Sequence, residues 1–226
     1  MKKLKNMMIV AVATIAMTSS SFAFEGFSVG GVFSYSTFDT SGKETKGQAG
    51  GTNEASAVAK KSSDVDIGSV FAEYTFSQGS SIGLEYIPGE SSLGARTRSQ
   101  TQTNGQNVTG VITAKAEVSD HVTFYVEPTV MLSDTFGVYV KGGASRVTVN
   151  SLDSQTSTTI SGTYGNQDVY GTTMGFGAKA YKGNFFAKLE YMETEYGRVS
   201  LTSSTNKQIT ADIESEATRV AVGYNF

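Results

Sequence analysis

The chain has 226 residues, a formal net charge of −3, 25 glycines, two prolines and no cysteine or tryptophan. The lack of cysteine excludes disulfides, thiolate metal sites and cysteine nucleophiles. The acidic balance argues against nucleic-acid binding, which requires a basic surface.

Residues 1–23 have the three parts of a secretory signal peptide. Three lysines precede an apolar run over 7–17, and a polar stretch then leads to Ser-Phe-Ala, with cleavage expected after Ala23. The run is shorter than the ~20 residues that a membrane-spanning helix needs, which disfavours an anchor. Cleavage leaves 15 basic and 21 acidic side chains, a net charge of −6. We therefore expect export through the secretory pathway and one domain over 24–226.

Eight runs of the remaining chain alternate apolar and polar residues, and no stretch shows a sustained helical period. In chain order the runs are 26–38, 65–76, 81–88, 114–132, 136–149, 168–181, 185–194 and 213–226. A period of two over this length predicts eight β-strands.

The connections between these runs are short and long in turn. The short ones are 77–80, 133–135 and 182–184, and the long polar ones are 39–64, 89–113, 150–167 and 195–212. Compact soluble domains rarely carry four long loops. Outer-membrane barrels combine an even number of strands, short periplasmic turns and long external loops. The pattern predicts an all-β, eight-stranded antiparallel up-and-down transmembrane β-barrel.

The charged residues inside the runs lie on the face opposite to the apolar residues. In SIGLEYIP, for example, Ile82, Leu84 and Tyr86 share one face and Glu85 lies on the other. Four acids and four bases follow this rule: Glu73, Glu85, Glu127, Glu190, Lys141, Lys179, Lys188 and Arg219. In a lipid-embedded barrel these charges would be enclosed and would have to pair. Their equal numbers predict an interior charge network; the alternative is the solvated face of a soluble sandwich.

The fourth run gives two local expectations. The short turn 133–135 sets it beside the fifth run, so we expect Lys141 to pair with Glu127. Pro128 lies inside the fourth run, where it lacks an N–H for the ladder. We expect a bulge near Pro128, toward the periplasmic end.

The chain ends in an alternating strand, RVAVGYNF. Only helices and closed barrels satisfy every backbone group in a bilayer, so the last run is expected to pair with the first. The ending Tyr224-Asn225-Phe226 resembles the assembly signal of outer-membrane barrels. Together with GFSVGGVFSYS (26–36), it makes the mature chain resemble the small eight-stranded OmpA/OmpX-type barrels. The resemblance implies the bacterial outer membrane, a monomer, and contacts with lipid, periplasmic chaperones and the barrel-assembly machinery.

No catalytic, metal or cofactor site is predicted. His121, the only histidine, shares a face with Thr123 and Glu127, which suggests a hydrolase. Its interior position favours a hydrogen-bonded core residue instead, and the loops contain no calcium-binding pattern. We expect no enzyme, no cofactor and no nucleic-acid partner.

The sequence favours a structural or surface-interaction role, either in membrane integrity or in the display of four external loops. One alternative is a narrow channel for small solutes, although eight strands enclose little more than their own side chains. The other is a lipid-modifying outer-membrane enzyme. The residues do not identify a partner for the loops.

Overall fold

A computed structural model describes residues 25–45, 58–103, 107–155, 165–202 and 208–226. The predicted signal peptide and its cleavage site after Ala23 lie outside these ranges. The described residues form ten strand segments: β1 (Gly26–Thr45), β2 (Val58–Thr75), β3 (Ser81–Thr103), β4 (Asn107–Glu127), β5 (Thr129–Ser133), β6 (Phe136–Gln155), β7 (Gln167–Lys182), β8 (Phe185–Tyr196), β9 (Val199–Thr202) and β10 (Gln208–Asn225). Nowhere in these ranges is a helix long and apolar enough to cross a membrane.

The strands close into a barrel. Each pairs with its neighbours in antiparallel register, and β10 returns to β1, from Ser28 opposite Asn225 to Thr45 opposite Gln208. β5 continues the strand of β4 along β6, and β9 continues that of β8 along β10. The wall therefore has eight strands, and the predicted eight-stranded antiparallel barrel is confirmed.

The strands extend well beyond the predicted runs. The three short turns are confirmed, but most of the predicted loop 89–113 belongs to β3 and β4, which pair out to Thr103 and Asn107. This region lacks apolar alternation because neither face of a strand outside the membrane has to meet lipid. Its Thr, Gln and Val residues still favour extended structure.

Pro128 interrupts the fourth barrel strand without shifting its register, which is the same in β4 and β5 along β6. Its carbonyl accepts a hydrogen bond from the Val140 amide at 3.2 Å. A register shift occurs a few residues later, between Met131 and Ser133 at the turn. The irregularity lies at the periplasmic end, as expected, but at the turn and not at Pro128. Pro128 can stay in register because its carbonyl still accepts a hydrogen bond, although it has no N–H to donate.

In the described ranges the interior contains two apolar clusters that the sequence pattern did not predict. The lower cluster consists of Val32, Phe71, Tyr181, Phe186 and Ala221. The upper cluster consists of Val147, Val149, Val169, Val199, Leu201 and Ile213. On β6 the apolar side chains change faces, from the outward Val138 to the inward Val147. They do so because water replaces lipid outside the upper part of the barrel, so apolar groups turn inward.

Candidate functional site in the barrel interior

The eight predicted charged residues all lie inside the barrel, and none is more than 8% exposed. They project from every barrel strand except β1. The alternation places them on the inner face, and the barrel register brings them to a common level. We call this set of eight residues the charge network.

Glu127 is at the centre of the charge network and has no exposed surface. Its carboxylate lies 3.2 Å from the Lys141 ammonium, 3.1 Å from that of Lys179 and 3.0 Å from that of Lys188. The Lys141 contact is the one expected from the turn 133–135. Lys179 also donates to the Gly79 carbonyl at 2.7 Å. Three cations around one carboxylate compensate the burial of that anion.

The other three carboxylates continue the charge network across the barrel. Glu73 accepts from Lys188 at 2.7 Å. Glu190 pairs with Lys141, and its second oxygen lies 3.5 Å from Arg219 Nε, an ion-pair contact without a hydrogen bond. Arg219 also pairs with Glu85. The positive and negative groups therefore form one connected network.

Two tyrosines complete this layer. Tyr125 donates to Glu73 at 2.7 Å and Tyr139 donates to Glu190 at 2.8 Å. The Lys141 ammonium also lies 4.3 Å from the centre of the Tyr125 ring, in the geometry of a cation–π contact. The rings fill the space between the charged groups, and their hydroxyl groups donate to carboxylate oxygens.

Tyr125 lies directly over Gly83 of the neighbouring strand. A Cβ at Gly83 would come within 2.6 Å of the tyrosine ring and 2.8 Å of Glu73 Cβ. We expect Gly83→Ala to destabilise the barrel by about 1–3 kcal/mol through overpacking. Gly142→Ala is the matched control, because a Cβ there has open space. Urea titrations followed by circular dichroism would measure both; equal stability of the two variants would contradict this packing.

Hydroxyl groups form a layer above the charge network. Thr123 bonds to Ser145 at 2.7 Å, and Ser145 bonds to Thr173 at 2.6 Å. His121 lies at the same end, with Nε2 3.1 Å from the Tyr196 hydroxyl. Its Nδ1 is buried and has no hydrogen-bond partner in the part of the chain that the structure describes. The hydroxyl of Thr123 is thus engaged with Ser145 and not with His121.

Ion pairs lie on the outer surface of the upper part of the barrel. Arg146 contacts Asp168 at 2.8 Å. A hydrogen bond from Thr148 and the Arg146 guanidinium lower the pKa of the Asp168 carboxyl. Solvated charges of this kind cannot lie in hydrocarbon, so they mark where the outside of the barrel enters water.

Below these ion pairs the exterior is apolar. Exposed side chains there include Phe27, Val29, Phe33, Val70, Leu84, Phe124, Phe176, Leu189, Val220 and Val222. A closed wall with an apolar outside and a charged inside is the architecture of outer-membrane barrels. The chain is an integral outer-membrane β-barrel.

The two residues of the predicted assembly signal lie on the outside at the end with the short turns. Tyr224 is 36% exposed and Phe226 is 75% exposed. Their ring centroids are 5.1 Å apart, and the Phe226 amide donates to the Phe27 carbonyl at 2.9 Å. Both rings therefore belong to an aromatic girdle at the lipid boundary.

No cluster of three or more His, Asp or Glu side chains able to hold a metal ion occurs among the described ranges.

Comparison with protein-family models and with curated proteins gives no match. Solved structures similar to the chain include the protease OmpT of Escherichia coli, at 12% identity, covering 93% of this chain and 100% of that one, with a TM-score of 0.48. OprG of Pseudomonas aeruginosa matches at 11% identity, with 89% and 97% coverage and a TM-score of 0.46. Ail of Yersinia pestis, solved with a heparin analogue, matches at 9%, with 83% and 98% coverage and a TM-score of 0.33. At these values the similarities say nothing about what this chain binds or does.

Proposed function

We propose that the protein is a sealed, non-enzymatic barrel of the bacterial outer membrane, with a structural and surface-display role. The charge network carries this proposal. Its central residues Glu127 and Lys179 are at most 1% exposed, and Tyr125 is equally buried. An eight-stranded barrel is only wide enough for its own side chains, and here they meet across the lumen.

A measurement of ion conductance tests whether the barrel is sealed. Purified protein would first be run on a cold SDS gel with and without boiling, since a closed barrel should change mobility on boiling. The same sample would then be placed in planar lipid bilayers, where we expect no channel openings. Reproducible openings from the boiling-sensitive form would support the narrow-channel alternative and contradict the proposal.

The surface role is supported by the length of the hairpins. β3 continues for 17 residues beyond Tyr86, up to ~55 Å of extended chain at ~3.3 Å per residue. A tilted transmembrane strand needs only ~9–11 residues. The hairpin of β3 and β4 therefore projects well outside the membrane, where it is available to partners.

A lipid-modifying enzyme is the weaker alternative because neither Thr123 nor Glu127, which share the face of His121, is hydrogen-bonded to His121 in the described part of the chain. The Thr123 hydroxyl bonds to Ser145, and Glu127 is held by three lysines. We expect His121→Ala to leave the acyl composition of lipid A unchanged. Mass spectrometry of lipid A from cells producing each form would measure this, and an altered composition would favour the enzyme.

The proposed partners are outer-membrane lipid throughout the life of the protein, and periplasmic chaperones and the barrel-assembly machinery during biogenesis. The exposed side chains of Tyr224 and Phe226 support contacts with the chaperones and the assembly machinery, since these side chains contribute little buried surface to the folded barrel. We propose a monomer.

A further inference from the structure

One seam of the barrel, that is, one line along which two adjacent strands pair, is much shorter than the others. In the part of the chain that the structure describes, β2 and β3 share only six residue pairs, from Val70 opposite Tyr86 to Thr75 opposite Ser81. Every other pair of adjacent barrel strands shares eleven or more pairs. From Val70 toward the external end, β2 remains paired with β1, and β3 remains paired with β4. The wall therefore has a gap at this height.

The local sequence of β3 and β4 explains the gap. Pro88 has no N–H to donate, and Gly89 has a positive φ of 91°. The register of β3 against β4 shifts at this point, and Asp120 in β4 also has a positive φ, of 52°. Bulges bend strands and increase their twist, so these residues separate the β3–β4 hairpin from β2.

A cavity of about 170 Å³ lies behind this gap. Ile67 and Gly68 of β2 and Ile87 of β3 line it on either side of the opening, and Val147 and Ile213 of the upper apolar cluster line its inner part. An apolar cavity of ~150 Å³ in an engineered protein holds one benzene molecule. The cavity therefore has room for a group of about six carbons.

The opening lies at the outer limit of the lipid-facing surface. Val70 and Tyr86, the last pair below it, are 54% and 41% exposed on the outside. Hydrocarbon is therefore next to the opening, whereas the charge network lies between the cavity and the periplasm.

Two features define the polar part of the ligand. His121 lines the cavity, and its buried Nδ1 has no partner among the described residues. A neutral imidazole nitrogen is a donor or an acceptor according to the tautomer, and a hydroxyl group can satisfy either. Asp66 and Glu90, which are exposed and also line the cavity, disfavour an anionic head.

We propose that this cavity is a lateral binding site for an uncharged, small aliphatic alcohol that enters from the outer leaflet between β2 and β3. The alkyl part occupies the apolar lining, and the hydroxyl group bonds to His121 Nδ1. The site lies inside the barrel, on the external side of the charge network that seals the lumen, so it adds a binding activity to the proposed function.

The single histidine of the chain is the reporter for the test. Protein labelled with ¹⁵N-histidine would be placed in lipid nanodiscs and titrated with 1-hexanol or hexanoate at equal membrane mole fractions. We expect 1-hexanol to cause a saturable shift of the His121 Nδ1 resonance, and hexanoate a much smaller one. No shift with 1-hexanol, or an equal one with hexanoate, would overturn the assignment of the ligand.

A pair of glycine variants tests the route. A Cβ at Gly68 or at Gly142 meets no atom within 4 Å, but only Gly68 lines the cavity. Gly68→Phe is expected to abolish the saturable shift, whereas Gly142→Phe should retain it. Boiling-dependent gel mobility would verify that both variants are folded. A saturable shift that survives Gly68→Phe would overturn lateral entry, and a non-saturable shift in every form would mean bulk partitioning only.

Discussion

Glu127→Gln is expected to destabilise the barrel by about 3–5 kcal/mol, because it removes the buried anion that three lysines share. Lys141 and Lys188 keep Glu190 and Glu73 as partners. Lys179 keeps none, since Glu127 is the one carboxylate within ion-pair distance of it in the described part of the chain. Urea unfolding in detergent micelles, followed by circular dichroism and gel mobility, would measure the loss; the chain has no tryptophan to follow.

A second substitution tests whether the loss comes from the unpaired cation. Adding Lys179→Met to Glu127→Gln should recover much of the stability, because the remaining three acids and three bases balance again. Lys182→Met is the matched control, since Lys182 is exposed at the end of β7, next to the turn. Strictly additive losses for Glu127 and Lys179 would show that the two side chains are not coupled.

Leu189→Arg is expected to cost about 2–4 kcal/mol, the price of a charge on the lipid-facing side near the membrane centre. Leu189 is 59% exposed on the outside of β8. In a soluble protein, a polar substitution at such an exposed position would change the stability by ~0.5 kcal/mol or less. Unfolding in phospholipid vesicles would measure the difference.

Tyr170→Arg is the control for depth. Tyr170 is 67% exposed on the outside of β7, two residues from the solvated Asp168. Substitution there is expected to cost only about 0–1 kcal/mol, because an arginine at the interface reaches water. Equal and small effects at Leu189 and Tyr170 would mean that the exterior faces water along its whole height.

The strands and their two faces could be predicted because lipid imposes a simple rule on them. Where a strand crosses the membrane, every second residue must be apolar, so the position of Glu85 between Leu84 and Tyr86 already indicates which side is enclosed. The three short turns were equally readable, since Ser, Gly, Asn and Asp mark them.

The upper half of the barrel could not be read in the same way. Residues 97–103 carry no apolar alternation, yet they form strand. The signal that could have located the upper cluster is a change of parity, from Val138 and Val140 to Val147 and Val149. The lateral gap depends on where β2 and β3 stop pairing, and a single strand does not contain that information.

The closure of the barrel has a consequence for its folding. Seven of the eight seams join strands that follow one another along the chain, and such hairpins form from local contacts. The eighth seam brings together Ser28 and Asn225, which are 197 residues apart. Loop-closure entropy delays such distant contacts, so this seam is expected to form last. Until then β1 and β10 expose two long unpaired edges, and the time to closure sets the period in which the chain can aggregate.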